Sequence, residues 1–229
     1  KKLTNLVFSF YSFFTISMTI NMFITGGRAG QVGFFVILSI LIIQIFDKQR
    51  IKSLLIIFIM IPSIFITAYL TSDLFQERVN SGIKEISEPM VDSKHLTSVG
   101  LRINFAKNSF AVVKQNPIIG VGTGDFPSEY KKINQINTPQ LPNATNPHNM
   151  YTLITMQLGL IGLVSMLSIF YYQIKLSFNS SNRLFKDLGI TLPLVFLVLM
   201  WSDSYLLGHY TTLVFIFFSS FLYKDFEKS

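Results

Sequence analysis

Three side chains have types and settings that could do chemistry together: two guanidinium groups and an imidazole. Arg28 lies in Thr25-Gly26-Gly27-Arg28-Ala29-Gly30, where glycines let backbone N–H groups approach an anion beside the arginine's fork of donors. Arg102 opens a helical pattern and offers a second guanidinium of the geometry that binds phosphate bidentately. His148 lies in Asn146-Pro147-His148-Asn149-Met150-Tyr151. An imidazole titrates near neutrality, which makes His148 the best general-base candidate in the chain. Each also has a plain structural alternative: a snorkelling anchor, a solvated helix residue and a polar cap.

The elements that must position these residues are apolar. Half of the 229 residues are hydrophobic, 14% are charged, and Phe occurs 23 times. A membrane span needs roughly 20 predominantly apolar residues. Six runs without Asp, Glu, Lys or Arg qualify: Leu3–Gly27, Ala29–Phe46, Ser53–Ser72, Asn149–Ile174, Leu188–Ser202 and Ser204–Tyr223. The fifth is short and contains Pro193, and the third contains Pro62; neighbouring helices can satisfy the backbone a proline frees. The first run follows Lys1 and Lys2, as a signal peptide would. It is too long for the usual apolar region of one, and no small-residue cleavage site follows. Lys1 in place of an initiator Met predicts further sequence upstream.

Basic residues in short connections set orientation. Lys1, Lys2, Lys48, Arg50, Lys52, Lys175, Arg183, Lys186, Lys224 and Lys228 collect on one side, against Arg28 alone in the short connections of the other. The first side is expected to be cytoplasmic. The formal charge of +7 then falls almost entirely inside, as a topology signal and not a nucleic-acid footprint. The expectation is an all-α, polytopic membrane protein of about six transmembrane helices: three in 1–72, an extracytoplasmic segment over 73–148, and three in 149–229 with a short cytoplasmic tail.

Segment 73–148 is long enough to need structure of its own. Ile103, Ala106, Phe110 and Val113 recur at helical spacing, with Asn104, Lys107 and Lys114 on another face. This predicts an amphipathic helix over about 99–115, capped by Thr97 or Ser98 and lying near the outer membrane surface. Asn116-Pro117 ends it, and Gly120-Val121-Gly122-Thr123-Gly124 follows as a permissive turn. The topology puts Arg28, Arg102 and His148 on the outward side at similar depth, with Asp203 and His209 on the same face. Such a set suits a lipid diphosphate. Asp203 is expected to partner a nearby base, with a direct role as the alternative.

Other chemistries find little support. His95, His148 and His209 are scattered without the spacing of a zinc site, and there is no Walker loop. With no cysteine, no disulfide framework or thiolate site can form. Gly159-Leu160-Ile161-Gly162 is read as a helix-packing contact.

The ordered set resembles the C-terminal part of the O-antigen ligase/polymerase superfamily over roughly residues 25–175. The matching pieces are Arg28 after its Thr-Gly turn, Arg102 at the head of a loop helix, and the glycines within Ile119–Phe126. The His148-Asn149 pair opening a helix and Gln157–Leu163 complete the set. Gly27, Ala106 and Met150 depart from residues common there, which bears on the subfamily. The resemblance implies metal-independent glycosyl transfer without a cofactor at the periplasmic face of the bacterial inner membrane. The donor it implies is a glycan on undecaprenyl diphosphate. The acceptor is a lipid A–core sugar in a ligase, a lipid-linked glycan in a polymerase, or a protein hydroxyl in an oligosaccharyltransferase. His148 would be catalytic and Arg28 and Arg102 would bind the diphosphate, with Gly122, Gly124, Asn149, Asp203 and His209 in support. The rivals are a lipid-linked glycan transporter and a non-catalytic scaffold. A transporter would be expected to place its polar groups near the midplane.

Overall fold

The structure, a computed structural model, describes residues 2–25, 27–87 and 97–223; Lys1, Gly26, His95, Lys224 and Lys228 lie outside them. Every regular element among the described residues is helical. The chain divides into two compact units, Lys1–Lys84 and Glu85–Ser229.

The first unit holds α1 (Lys2–Ile24), α2 (Arg28–Ile45), α3 (Arg50–Thr71) and most of α4 (Asp73–Ser87). Helices α1 to α3 have the length and apolar composition to cross a membrane. Phe8, Ile51, Phe58 and Leu70 stand almost fully exposed along them, as side chains that face lipid do. Their hydroxyls are satisfied within their own helix: Thr19 donates to Thr15 O, Ser63 to Ile59 O and Thr71 to Thr67 O. Other bonds reach further, such as Tyr69 Oη donating to Asn80 Oδ1 of α4 at 2.9 Å. Ser72 Oγ donates to Phe23 O at 2.9 Å, tying the end of α3 to the end of α1. The buried Gln31 amide reaches back across the α1–α2 turn to Thr25 O at 3.3 Å. Phe23 and Phe75 meet edge to face beside these ties.

The second unit contains α5 (Ser98–Val113), α6 (Phe126–Asn137), α7 (Met150–Phe178), α8 (Arg183–Leu199), a 3-10 turn (Tyr205–Leu207) and α9 (His209–Leu222). Of these, α7 is long and apolar enough to span. The expected fifth and sixth spans correspond to shorter helices: α8 has 17 residues and opens with Arg183, Lys186 and Asp187, and α9 has 14. The outer segment from Glu85 onward is not a separate body. Phe105, Val112, Phe126 and Tyr130 share one core with Met150, Met156, Phe196 and Met200 of the later helices.

Helix α5 starts where a cap was expected, with Thr97 Oγ1 accepting from Gly100 N. Its faces depart in part from the simple amphipathic reading: Lys107 and Lys114 are exposed and Val113 packs on the core as expected, but other positions exchange. Ile103 and Phe110 are 52% and 59% exposed, while Asn104, Asn108 and Ser109 are buried with Phe105 and Val112. The reason is an amide network between α5 and α6. Asn108 Nδ2 donates to Thr138 Oγ1 at 2.9 Å and Asn134 Oδ1 at 3.2 Å, and Asn137 Nδ2 donates to Asn108 Oδ1 at 3.1 Å. Helix α6 was not expected at all. Its core positions, Phe126, Tyr130 and Asn134, do follow a four-residue repeat, but the third is polar.

A loop is built into a gap in α7. Gly159 has φ 64° and ψ −162°, which breaks the helix there. In an unbroken helix Leu160 N and Ile161 N would bond to Met156 O and Gln157 O. Instead they bond to Pro117 O at 2.9 Å and Ile118 O at 3.3 Å. The released carbonyls of Met156 and Gln157 accept from Val121 N at 2.9 Å and Gly122 N at 3.0 Å. Two donors and two acceptors change partners, and none of the four is orphaned. Only glycine fits at the two crossing points. A Cβ on Gly159 would stand 2.1 Å from Ile118 O, and one on Gly120 2.4 Å from the Gln157 carbonyl carbon. The glycine turn and Gly159 are therefore partners, where the sequence suggested a turn and a helix-packing contact.

Candidate active site

His148 closes the turn that delivers the chain into α7. Its backbone is left-handed, φ 52°, a conformation that costs a non-glycine residue on the order of 1–2 kcal/mol. Asn146 and Pro147 hold it there. Asn146 Oδ1 accepts from His148 N at 2.9 Å, and Pro147 is fully buried. The next residue, Asn149, caps α7 by accepting from Thr152 N at 2.9 Å. Its amide nitrogen donates to Trp201 O at 3.1 Å, and Met150 N donates to Met200 O at 2.9 Å. The start of α7 is thus fastened to the turn that follows α8.

That fastening brings Asp203 to His148. Their side chains meet at Nδ1 and Oδ1, 3.1 Å apart, and both are about two-fifths exposed. Ser204 N donates to the same carboxylate oxygen at 2.7 Å, and Ser204 Oγ donates to Asn146 Oδ1 at 2.7 Å. Asn146 and Ser204 therefore fix, from two chain segments, the backbone of the histidine and the carboxylate that faces it. An ionised carboxylate only accepts, so Nδ1 is the nitrogen that carries the hydrogen toward Asp203, and in the neutral ring Nε2 presents a lone pair. The ring lies nearly parallel to Phe105 of α5, with centroids 6.3 Å apart.

Arg102 is exposed on α5, three residues before Phe105, so it shares a helix face with the residue that stacks on His148. Below this surface Tyr130 accepts from Asn104 and Asn108; burial pushes its phenol above the ordinary range, and the two amide donors pull it back in part. Gly122 and Gly124, with φ 116° and 87°, shape the loop between α5 and α6. His209 opens α9, and among the described residues no hydrogen bond or ion pair joins it to His148 or Asp203.

Arg28 belongs to the first unit. It is the first residue of α2, half-buried, with Gly27 as the cap and Gln31 N donating to Gly27 O at 3.1 Å. A helix N-terminus carries partial positive charge, which disfavours a cation there and favours an anion. Sequence reasoning singled out the arginines, His148 and Asp203, and of these the structure joins His148 and Asp203. It missed Asn146, Ser204 and Phe105, although Asn-Pro and Asp-Ser are turn-forming pairs that mark their places.

An uncharacterized protein of Haemophilus influenzae is 28% identical over 128 residues, which are 55% of this chain and 31% of that protein. The chain thus matches about a third of the length of that relative. The family described as O-antigen ligase matches residues 13–167, from α1 through the break in α7 and including Arg28, Arg102 and His148. On that match the chain, a helical membrane protein, belongs to the O-antigen ligase family.

Proposed function

We propose that this chain is part of a glycosyltransferase that moves a glycan from undecaprenyl diphosphate to an acceptor hydroxyl at the periplasmic face of a bacterial inner membrane. The observation that carries the reading is the His148–Asp203 pair, oriented with Nε2 outward. In the step envisaged, Nε2 takes the proton of the acceptor hydroxyl as its oxygen attacks the anomeric carbon. The bond from that carbon to the diphosphate breaks, and the diphosphate leaves with the electron pair. Asp203 holds the ring and balances the imidazolium. Arg28 and Arg102 stabilise the charge that develops on the diphosphate. The family assignment supports a lipid-linked donor and a glycan acceptor in general terms. A lipid A–core acceptor, as in lipopolysaccharide ligation, is the form we favour over polymerase or protein-glycosylating activity.

Two measurements test this. Full-length protein expressed in strains lacking either the ligase or the polymerase should restore lipopolysaccharide ladders in the ligase-deficient strain; rescue of the polymerase strain alone reassigns the acceptor. Single-turnover transfer at saturating donor addresses the base. General-base catalysis contributes about 10²- to 10⁴-fold, and His148→Gln, which can hydrogen-bond but not carry the proton, should lose that much while still binding donor. A Gln variant within a few-fold of wild type would remove His148 from the chemistry.

A further inference from the structure

The loop that fills the gap in α7 has an unusual tip. Water-facing turns are built from Gly, Asn, Asp, Ser and Pro. This one presents Ile118 and Ile119, which are 61% and 69% exposed. Across the exchanged hydrogen bonds stand Leu160 and Ile161, also more than half exposed. Four large aliphatic side chains therefore share one outward surface with no protein atoms over most of it.

Irregular backbone is normally excluded from lipid because its N–H and C=O groups would go unpaired. Here that objection is met in part: Ile118 N and Ile119 N donate to no acceptor among the described residues, while other groups of the loop are paired. Pro117 has no N–H, and the carbonyls of Pro117 and Ile118 accept from Leu160 and Ile161. Gly120 N donates to Asn116 O, and Val121 N and Gly122 N are taken by α7. Lys114, the cap residue of α5 just before the loop, lies exposed with its ammonium 5.0 Å from the centre of the exposed Phe110 ring. A lysine at the edge of a span can lay its apolar stem along the hydrocarbon and carry its ammonium to the headgroups.

Length points the same way. At 1.5 Å per residue the full 29-residue helix α7 would rise about 44 Å, well beyond the hydrocarbon layer. The stretch after the break, Leu160 to Phe178, rises about 28 Å, against roughly 30 Å of hydrocarbon. We propose that Pro117–Gly122 is a membrane wedge: Ile118 and Ile119 sit in the bilayer hydrocarbon beside Leu160 and Ile161, and the span begins at the Gly159 break. The occupant of this apolar surface is lipid. The surface is continuous with the spanning part of α7, and the loop carbonyls of Pro117 and Ile118 are paired with that helix.

The chain has no cysteine, so single thiols report single positions. Ile118→Cys and Ile119→Cys would each be labelled with an environment-sensitive fluorophore and placed in phosphatidylcholine–phosphatidylglycerol nanodiscs, where both faces meet the buffer. Gln135→Cys on exposed α6 is the comparator. The expected result is blue-shifted emission at 118 and 119. Those labels should be quenched several-fold more by lipid carrying a nitroxide on the acyl chain, and several-fold less by iodide, than the label at 135. Iodide quenching at 118 and 119 equal to that at 135 would overturn the wedge. Reaction of the unlabelled thiols with a water-soluble maleimide in the same nanodiscs is an independent arm. Rates at 118 and 119 well below that at 135 support the wedge, and equal rates refute it. Neither measurement uses activity, so the outcome is separate from that of the transfer reaction.

Discussion

The two units differ in how far their polar contacts reach. In α1–α3 the side-chain hydroxyls of Thr19, Ser39, Ser63 and Thr71 each bond to a carbonyl four residues back in the same helix. Such bonds cost the helix nothing in partners and specify nothing about its neighbours. Glu85–Ser229 has bonds of that kind too, such as Thr155 to Tyr151 O and Ser165 to Ile161 O, but it also joins distant segments: Asn108 with Asn134 and Asn137, His148 with Asp203, Asn146 with Ser204, Asn149 with Trp201. A buried network of that kind is high-stakes, because each member is expensive to leave unpaired and fully satisfied it selects one arrangement. The first unit suits a lipid-facing frame. The second suits a site that must hold two side chains at fixed separation.

The largest effect expected from this contrast is at Asp203. An amide in its place can donate to Nδ1 and favour the wrong tautomer, so Asp203→Asn should lower single-turnover transfer by about 10²-fold or more with donor affinity little changed. A loss in donor affinity alone would make Asp203 a scaffold residue.

Next come the arginines, one from each unit. A charge-assisted hydrogen bond contributes about 1.5–3 kcal/mol, so Arg28→Lys and Arg102→Lys should each slow transfer by about tenfold or more, despite keeping the charge. Near-normal turnover in both, in properly inserted protein, would leave only a diffuse electrostatic role.

The smaller effects are on stability. Asn108→Ala removes a side chain that serves Thr138, Asn134 and Asn137. Each buried group left unpaired costs about 1–3 kcal/mol, and denaturant titration in detergent should register at least one such loss. Ser63→Ala removes only a bond to Ile59 O within α3 and should stay within about 0.5 kcal/mol. Equal costs for the two would erase the distinction between the units.

Much of the frame was legible because lipid imposes a simple code. Charge-free runs identified α1, α2, α3 and α7, and the residue types of Arg28, Arg102 and His148 stood out against them. The interior of the second unit was not legible, because its core is partly amide. Asn104, Asn108 and Asn134 read as solvent-facing in any apolar/polar pattern, which misplaced Asn104 on the polar face of α5 and hid α6. The break in α7 was invisible for another reason. Gly159 and Gly162 look alike in sequence, and only the backbone angle of the first reveals that a loop crosses there.

The exchange at Gly159 also bears on how the protein is made. Pro117–Gly122 leaves the ribosome before Met156–Ile161, so its two carbonyls and two amides wait in water for partners not yet synthesised. The later segment has a competing option: closing into an unbroken helix that pairs Leu160 N with Met156 O and Ile161 N with Gln157 O. Both pairings satisfy the same helix groups, so hydrogen bonding alone does not choose between them. Glycine tips the choice, since it costs about 1 kcal/mol inside a helix and is at ease at positive φ. Residue 159 is thus a commitment point in biogenesis. A nascent chain whose loop is captured before the helix closes proceeds to the native pairing, and one that closes first must reopen α7 before its site can assemble.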